Sequence, residues 1–275
     1  MSAVTDAPQW DPEQYIRHAD PRGRPFRDLV DRVPLKAPSR VVDLGCGPGN
    51  VTATLAGRWP NAHITGLDNS SAMIDAALSF AAPNPSGTGH LDFRVADIDS
   101  YAPEHDGAVD LLLSNAALQW VPNHLALLPA WLEALPANGV LAFQVPGNFD
   151  APNHTLLTAL RNSTRWRPLL GDTINAARFV PSVRKPTEYL DLFASCGVDA
   201  DVWETTYYHV LSGENPVLDW MMGTGLRPVL TVMTDPAERE EFLTEYKAGL
   251  AQAYPAAPYG TVLPYRRIFV VAAKT

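Results

Sequence analysis

Between Val41 and Asn50 the chain reads Val-Val-Asp-Leu-Gly-Cys-Gly-Pro-Gly-Asn. A short apolar run ends in an acid, and glycine then recurs at every second position. Asn50 to Arg58 follows with a helical pattern. The stretch therefore predicts a strand, a loop of bare backbone and a helix N-terminus. Glycine lets a ligand approach the main chain closely and tolerates positive φ. The helix end adds unpaired N–H groups and partial positive charge.

The spacing restricts the ligand. A dinucleotide fingerprint is G-x-G-x-x-G, with a small last residue that packs helix on strand. Here the glycines are Gly45, Gly47 and Gly49, and Asn50 stands where that small residue belongs. Asp43 precedes the first glycine by two places. A carboxylate there does nothing for a pyrophosphate, but it suits a ligand carrying an amino group. The D-x-G-x-G-x-G pattern after a strand resembles the first motif of class I S-adenosylmethionine (SAM) methyltransferases.

The rest of the chain supplies partners for that loop. His63 to Asp68 reads as a second strand ending in an acid 23 residues after Gly45. A carboxylate at such a strand end can accept both ribose hydroxyls of an adenosine. Asp68 could instead cap the next helix, Met73 to Phe80, but Asn69 or Ser70 fits the cap better and leaves Asp68 free. Leu91 to Val95 is a third strand, followed by Asp97 and Ile98. Asp97 can accept from an adenine amine while Ile98 packs on the ring; the alternative for Asp97 is a surface turn. Val109 to Asn115 is apolar almost throughout, as expected of a parallel strand covered on both faces. Helix 124–135 and the strand Val140 to Val145 complete the alternation. Strand–helix alternation implies a right-handed, doubly wound α/β sheet, with its ligand at the carboxyl ends of the first and fourth strands. Asp43, Gly45, Gly47, Asp68, Asp97, Ile98 and Asn115 would meet there.

The expected architecture is one domain over 1–275, with a Rossmann-like, mostly parallel seven-stranded core at about 26–146, 186–211 and 263–275. Trp10 to Tyr15 reads as a capped helix, Pro21 to Pro25 breaks the pattern, and Phe26 to Val33 reads as a second helix; residues 10–25 would form an N-terminal cap. Alternation stops after Pro146. Residues 147–185 and 212–262 read as mostly helical insertions forming a substrate lid.

Charge narrows the substrate. The chain of 275 residues carries a formal charge of −9, which argues against nucleic acid bound through a broad basic face. Between Ala151 and Lys185, however, Arg161, Arg165, Arg167, Arg178, Arg184 and Lys185 face a single acid, Asp172. Arginines lining a crevice suit bidentate capture of carboxylates. A carboxylate is already ionised at neutral pH and can attack a sulfonium methyl without a general base. Accordingly no Ser/His/Asp set and no metal-spaced cluster stands out. His154 and His209 read as packing or hydrogen-bonding residues rather than bases. Two cysteines, Cys46 and Cys196, give no disulfide framework and suit a reducing cytoplasm. No apolar run has the length of a membrane span or a signal peptide.

Several further segments resemble one family, the trans-aconitate 2-methyltransferases: Ala116-Ala117-Leu118-Gln119-Trp120-Val121-Pro122, Thr205-Thr206-Tyr207-Tyr208-His209, Asp219-Trp220, Gly223-Thr224-Gly225-Leu226-Arg227-Pro228 and Arg267 to Ala272. The similarity runs from Trp10 to about Ala272 and is thinnest over 155–185. It implies a cytoplasmic enzyme that esterifies one carboxylate of trans-aconitate with SAM and leaves S-adenosylhomocysteine. It also implies that Tyr15 and Arg24 bind the methionine end of SAM, and that Tyr207, Tyr208, His209, Trp220, Arg227 and Arg267 bind the acid. Strand alternation means Tyr207 and Tyr208 cannot both face one cleft. The competing readings are a SAM methyltransferase for another acid or a hydroxyl, a nicotinamide-linked oxidoreductase, and a non-catalytic SAM-binding module.

Overall fold

The structure, a computed structural model, describes residues 19–84, 86–170 and 182–274. The first helix, α1 (Ala19–Val30), runs through both Pro21 and Pro25. The expected break at Pro21 to Pro25 is therefore corrected. Pro21 falls in the first turn, whose N–H groups have no intrahelical partner in any case. Pro25 removes one interior bond, and burial of Phe26, Leu29 and Val30 offsets it. Trp10 to Tyr15 lies outside the described residues.

Among the described residues nine strands follow: β1 (Arg40–Leu44), β2 (His63–Asp68), β3 (Ala82–Pro83), β4 (His90–Val95), β5 (Leu111–Asn115), β6 (Val140–Pro146), β7 (Ala200–Leu211), β8 (Ala256–Ala257) and β9 (Gly260–Ala273). Their order is β3-β4-β2-β1-β5-β6-β9-β7, with β8 paired to β9. The seven expected strands are present, and the two extra ones have two residues each. β1 is parallel to β2 and β5, β2 to β4 and β5 to β6, while β9 is antiparallel to β6. Strand order reverses between β1 and β5, so both carboxyl ends open on one switch point. Every residue of β6 is buried, as a strand covered on both faces requires.

The helix expected from Asn50 begins later, as α2 (Thr54–Arg58). Residues 50–53 form turns instead, because Gly49 has φ 76° and the Thr52 hydroxyl is committed to Asp43 at 2.6 Å. After β2, α3 (Ser71–Ala77) is capped by Ser70, whose hydroxyl accepts from Met73 N–H. Helix α4 (His124–Ala134) precedes β6.

The chain divides into two compact units. Among the described residues, one holds 19–146, 182–205 and 267–274; the other holds 147–170 and 206–266. The first has a core of sheet and helix residues that includes Val42, Leu112, Leu128, Trp131, Phe143 and Val270. The second has its own core, with Trp166, Trp220, Phe242, Tyr246 and Tyr265. Its helices include α5 (Pro152–Arg161), α6 (Arg167–Leu170), α8 (Pro216–Met222), α9 (Arg227–Val232) and α10 (Pro236–Ala253); α7 (Pro186–Ser195) belongs to the first unit.

Candidate functional site

The glycine loop is built from hydrogen bonds that its sequence dictates. Gly45 N–H and Cys46 N–H both donate to the Leu67 carbonyl, at 2.7 and 2.9 Å. Gly45, Gly47 and Gly49 all have positive φ, at 77°, 56° and 76°. Two of them are also enforced by packing. A Cβ on Gly45 would sit 2.2 Å from the Ala117 methyl, and one on Gly49 would meet Ala77 and Phe93 inside 3 Å. Gly47 differs: a Cβ there meets nothing among the described residues within 4 Å. Open space over the middle glycine is what a ligand lying on the backbone needs.

Asp43 heads the loop and is 1% exposed. One carboxylate oxygen accepts from Thr52; the other, Oδ1, is buried and has no hydrogen-bond partner among the described residues. Burial pushes the Asp43 carboxyl up to about 7; the Thr52 bond opposes this and the Asp68 charge adds to it. A buried carboxylate with one oxygen unpaired is held at a cost that a ligand N–H can relieve.

Asp68 is not free, which corrects the expectation. Its Oδ2 accepts from Gly47 N–H at 3.0 Å and its Oδ1 from Ser70 N–H at 2.9 Å. The carboxylate thus ties the end of β2 to the middle of the glycine loop. Burial raises its pKa and the two backbone bonds lower it. Asp97 is exposed and caps a short turn, accepting from Asp99 N–H at 3.2 Å. Ile98 packs against the core of the first unit, its Cδ1 lying 3.5 Å from a Cβ built on Gly45.

At the end of β5, Asn115 Oδ1 accepts from Gln144 Nε2 at 2.6 Å. Ala116 then takes φ 56°, a left-handed conformation rare outside glycine. That turn places Ala117 against Gly45. Gln144 also accepts from Arg267, NH1 to Oε1 at 3.1 Å, and both side chains are buried. Neither Gln144 nor Thr52 was legible as a site residue: each lies inside a regular pattern, and only the folded register gives it a partner.

The remaining acid-binding candidates lie in the second unit. On β7, Tyr207 is buried and Tyr208 is 69% exposed, so the pair alternates as the strand demands. The Tyr207 and His209 rings share a face, 6.3 Å apart and nearly parallel, and His209 stacks on Trp220 at 5.0 Å. Trp220 is buried in that unit's core. Arg227 opens α9, directly after the Gly223–Leu226 turn. Gly225 in that turn lies under His154, whose imidazole burial pushes down to about 4 and keeps neutral.

The expected basic cluster is partly neutralised. Arg165 pairs with Glu241 and with Glu245 of α10, the latter at 3.3 Å, and lies over the Trp166 ring. Arg167 and Arg184 are exposed and Arg161 is half-buried. Arg178 and Tyr15 lie outside the described residues, and Arg24 is exposed on α1, 3.9 Å from Asp28.

A family profile described as "Methyltransferase domain" matches residues 41–139, the segment from the glycine loop to the start of β6. A solved structure of geranyl diphosphate C-methyltransferase from Streptomyces coelicolor, in complex with Mg2+, geranyl diphosphate and S-adenosylhomocysteine, shares the fold. Its TM-score is 0.52 at 15% identity, covering 99% of this chain and 86% of that one. Fold and glycine loop together are those of a class I SAM-dependent methyltransferase. A trans-aconitate 2-methyltransferase of Streptomyces avermitilis is 54% identical over 269 residues, 97% of each chain. One of Streptomyces coelicolor is 54% identical over 271 residues, 98% of this chain and 88% of that one. The chain belongs to the trans-aconitate 2-methyltransferase family.

Proposed function

We propose that the enzyme transfers the methyl group of SAM to one carboxylate of trans-aconitate, or of a closely similar small di- or tricarboxylic acid, giving the monomethyl ester and S-adenosylhomocysteine. The observation that carries the cofactor half is the buried Oδ1 of Asp43, unpaired among the described residues, at the head of a glycine loop whose middle residue has no described atom over it. Asp43 takes the amino group of the methionine end. Asp68, already fixing Gly47, takes the ribose hydroxyls; Asp97, Ile98 and Asn115 take the adenine. Tyr15 and Arg24 bind the methionine end. The bound cofactor supplies an electrophilic sulfonium methyl.

The chain's own residues then have one task toward the acid, which is to hold a carboxylate oxygen in line and keep water away. A carboxylate with an ordinary pKa near 4 is ionised at neutral pH, so no side chain need take a proton. Arg267, Arg227, Tyr208 and His209 hold the acid, and Tyr207 and Trp220 pack around His209. The acidic balance of the whole chain favours a small soluble anion over nucleic acid, and the enzyme works in the cytoplasm. Among the described residues no helix is long and apolar enough to cross a membrane.

The arginine assignment is tested by kinetics. Arg227→Ala should raise KM for trans-aconitate about tenfold or more, the loss of a hydrogen bond to a charged group, with SAM affinity by calorimetry unchanged. Equal losses toward acid and cofactor would remove Arg227 from the acid site.

A further inference from the structure

We infer that Gln144 is a positioning residue for the reaction: its carboxamide is a strut that holds Arg267 on one side and Asn115 on the other. This rests on the reading of Arg267 as an acid-binding residue. Gln144 is the one polar side chain in β6, Val140 to Pro146, and it is fully buried. A buried amide is costly unless both its ends are hydrogen-bonded, and here both are. Nε2 donates to Asn115 Oδ1 at 2.6 Å, and Oε1 accepts from Arg267 NH1 at 3.1 Å.

The sheet register explains the geometry. Asn115 is the partner of Gln144 across β5 and β6, and Phe269 is its partner across β6 and β9. Arg267 stands two residues from Phe269 on the same face, the diagonal position within reach of a long side chain. Gln144 thus joins the β5 end, assigned to the cofactor, to the arginine assigned to the acid.

Packing alone does not explain the amide. The other same-face positions of β6 are Val140, Ala142 and Pro146, and an apolar side chain would continue that face. A carboxamide is required because the two partners make opposite demands. Arginine only donates, whereas Asn115 presents its oxygen. Accepting from Gln144 at Oδ1 leaves Asn115 Nδ2 donating to no described residue, available to a ligand acceptor. Being uncharged, Gln144 orients Arg267 without cancelling its positive charge.

The test uses Gln144→Glu and Gln144→Met in the full chain, with Arg267→Lys as reference. The readouts are KM and kcat for trans-aconitate, SAM affinity by calorimetry and melting temperature. Gln144→Glu keeps the size but sets a carboxylate against Arg267. It should raise KM for the acid about tenfold or more, with SAM affinity within about threefold. Gln144→Met removes both bonds without adding charge and should raise the same KM by a smaller factor. If Gln144→Glu does not fold, Gln144→Met carries the test alone. The inference is overturned if the folded variants lose melting temperature while KM for the acid stays within about twofold of the parent. In that case a raised KM in Arg267→Lys leaves the acid-binding role of Arg267 standing. An unchanged KM in Arg267→Lys would instead remove the role of Arg267 itself.

Discussion

Burial holds the Asp43 carboxyl up to about 7, well above the ordinary carboxylate range. The folded chain binds this proton more tightly than the unfolded chain does. Its contribution to stability is therefore full below about pH 4 and is lost as pH rises through about 7. A ligand ammonium beside Asp43 stabilises the ionised form, so cofactor binding should release a proton at pH 6. SAM affinity should increase between pH 6 and pH 8, and Asp43→Asn should flatten that dependence. Calorimetry in two buffers of different ionisation enthalpy measures the proton count, and no release at pH 6 would contradict the assignment. The glycines give a second contrast. Gly49→Ala adds a clash with Phe93 and Ala77 to left-handed strain and should cost about 2–4 kcal/mol by urea unfolding. Gly47→Ala meets no atom of the described residues within 4 Å, so it should cost about 1–2 kcal/mol while weakening SAM binding. Similar stability losses in the two would refute the distinction.

At the scale of elements, the alternation along β7 separates packing from exposure. Tyr207→Ala removes a buried aromatic and should cost about 3 kcal/mol, read by urea unfolding. Tyr208→Ala should change stability by less than about 0.5 kcal/mol and should raise KM for the acid. Equal destabilisation by the two would contradict the strand as described. Much of this level was legible in the sequence. β1, β2, β5 and β6 are short apolar runs bounded by acids, glycine or proline, and burial on both faces leaves such a run few alternatives. The helix through Pro25 was not legible, because local proline chemistry says break and only the burial of Phe26, Leu29 and Val30 overrides it. The late start of α2 was hidden for the opposite reason. Thr52 belongs to a helical pattern, but its hydroxyl is taken by Asp43, which the pattern cannot show.

For the molecule as a whole, the two halves of the reaction were unequally legible. The cofactor half rests on short-range spacing: an acid, then glycines two apart, then a second acid at the next strand end. Such spacing survives folding almost unchanged, although Asp68 proved to be tied to Gly47 rather than free. The acid half rests on long side chains scattered over 147–267, whose direction only the fold decides. The arginine excess of 151–185 shows this, since Arg165 is spent on Glu241 and Glu245, whereas Arg267 hydrogen-bonds to Gln144 on a different strand. The proposed reaction transfers a methyl group from SAM to a carboxylate of a tricarboxylic acid. It is tested most directly by incubating the enzyme with methyl-labelled SAM and a panel of di- and tricarboxylic acids, small hydroxyl compounds included, and identifying products by mass spectrometry. Label is expected in a monomethyl ester, fastest with trans-aconitate, and none in the hydroxyl compounds. Label in an ether, or no transfer to any acid in the panel, would contradict it.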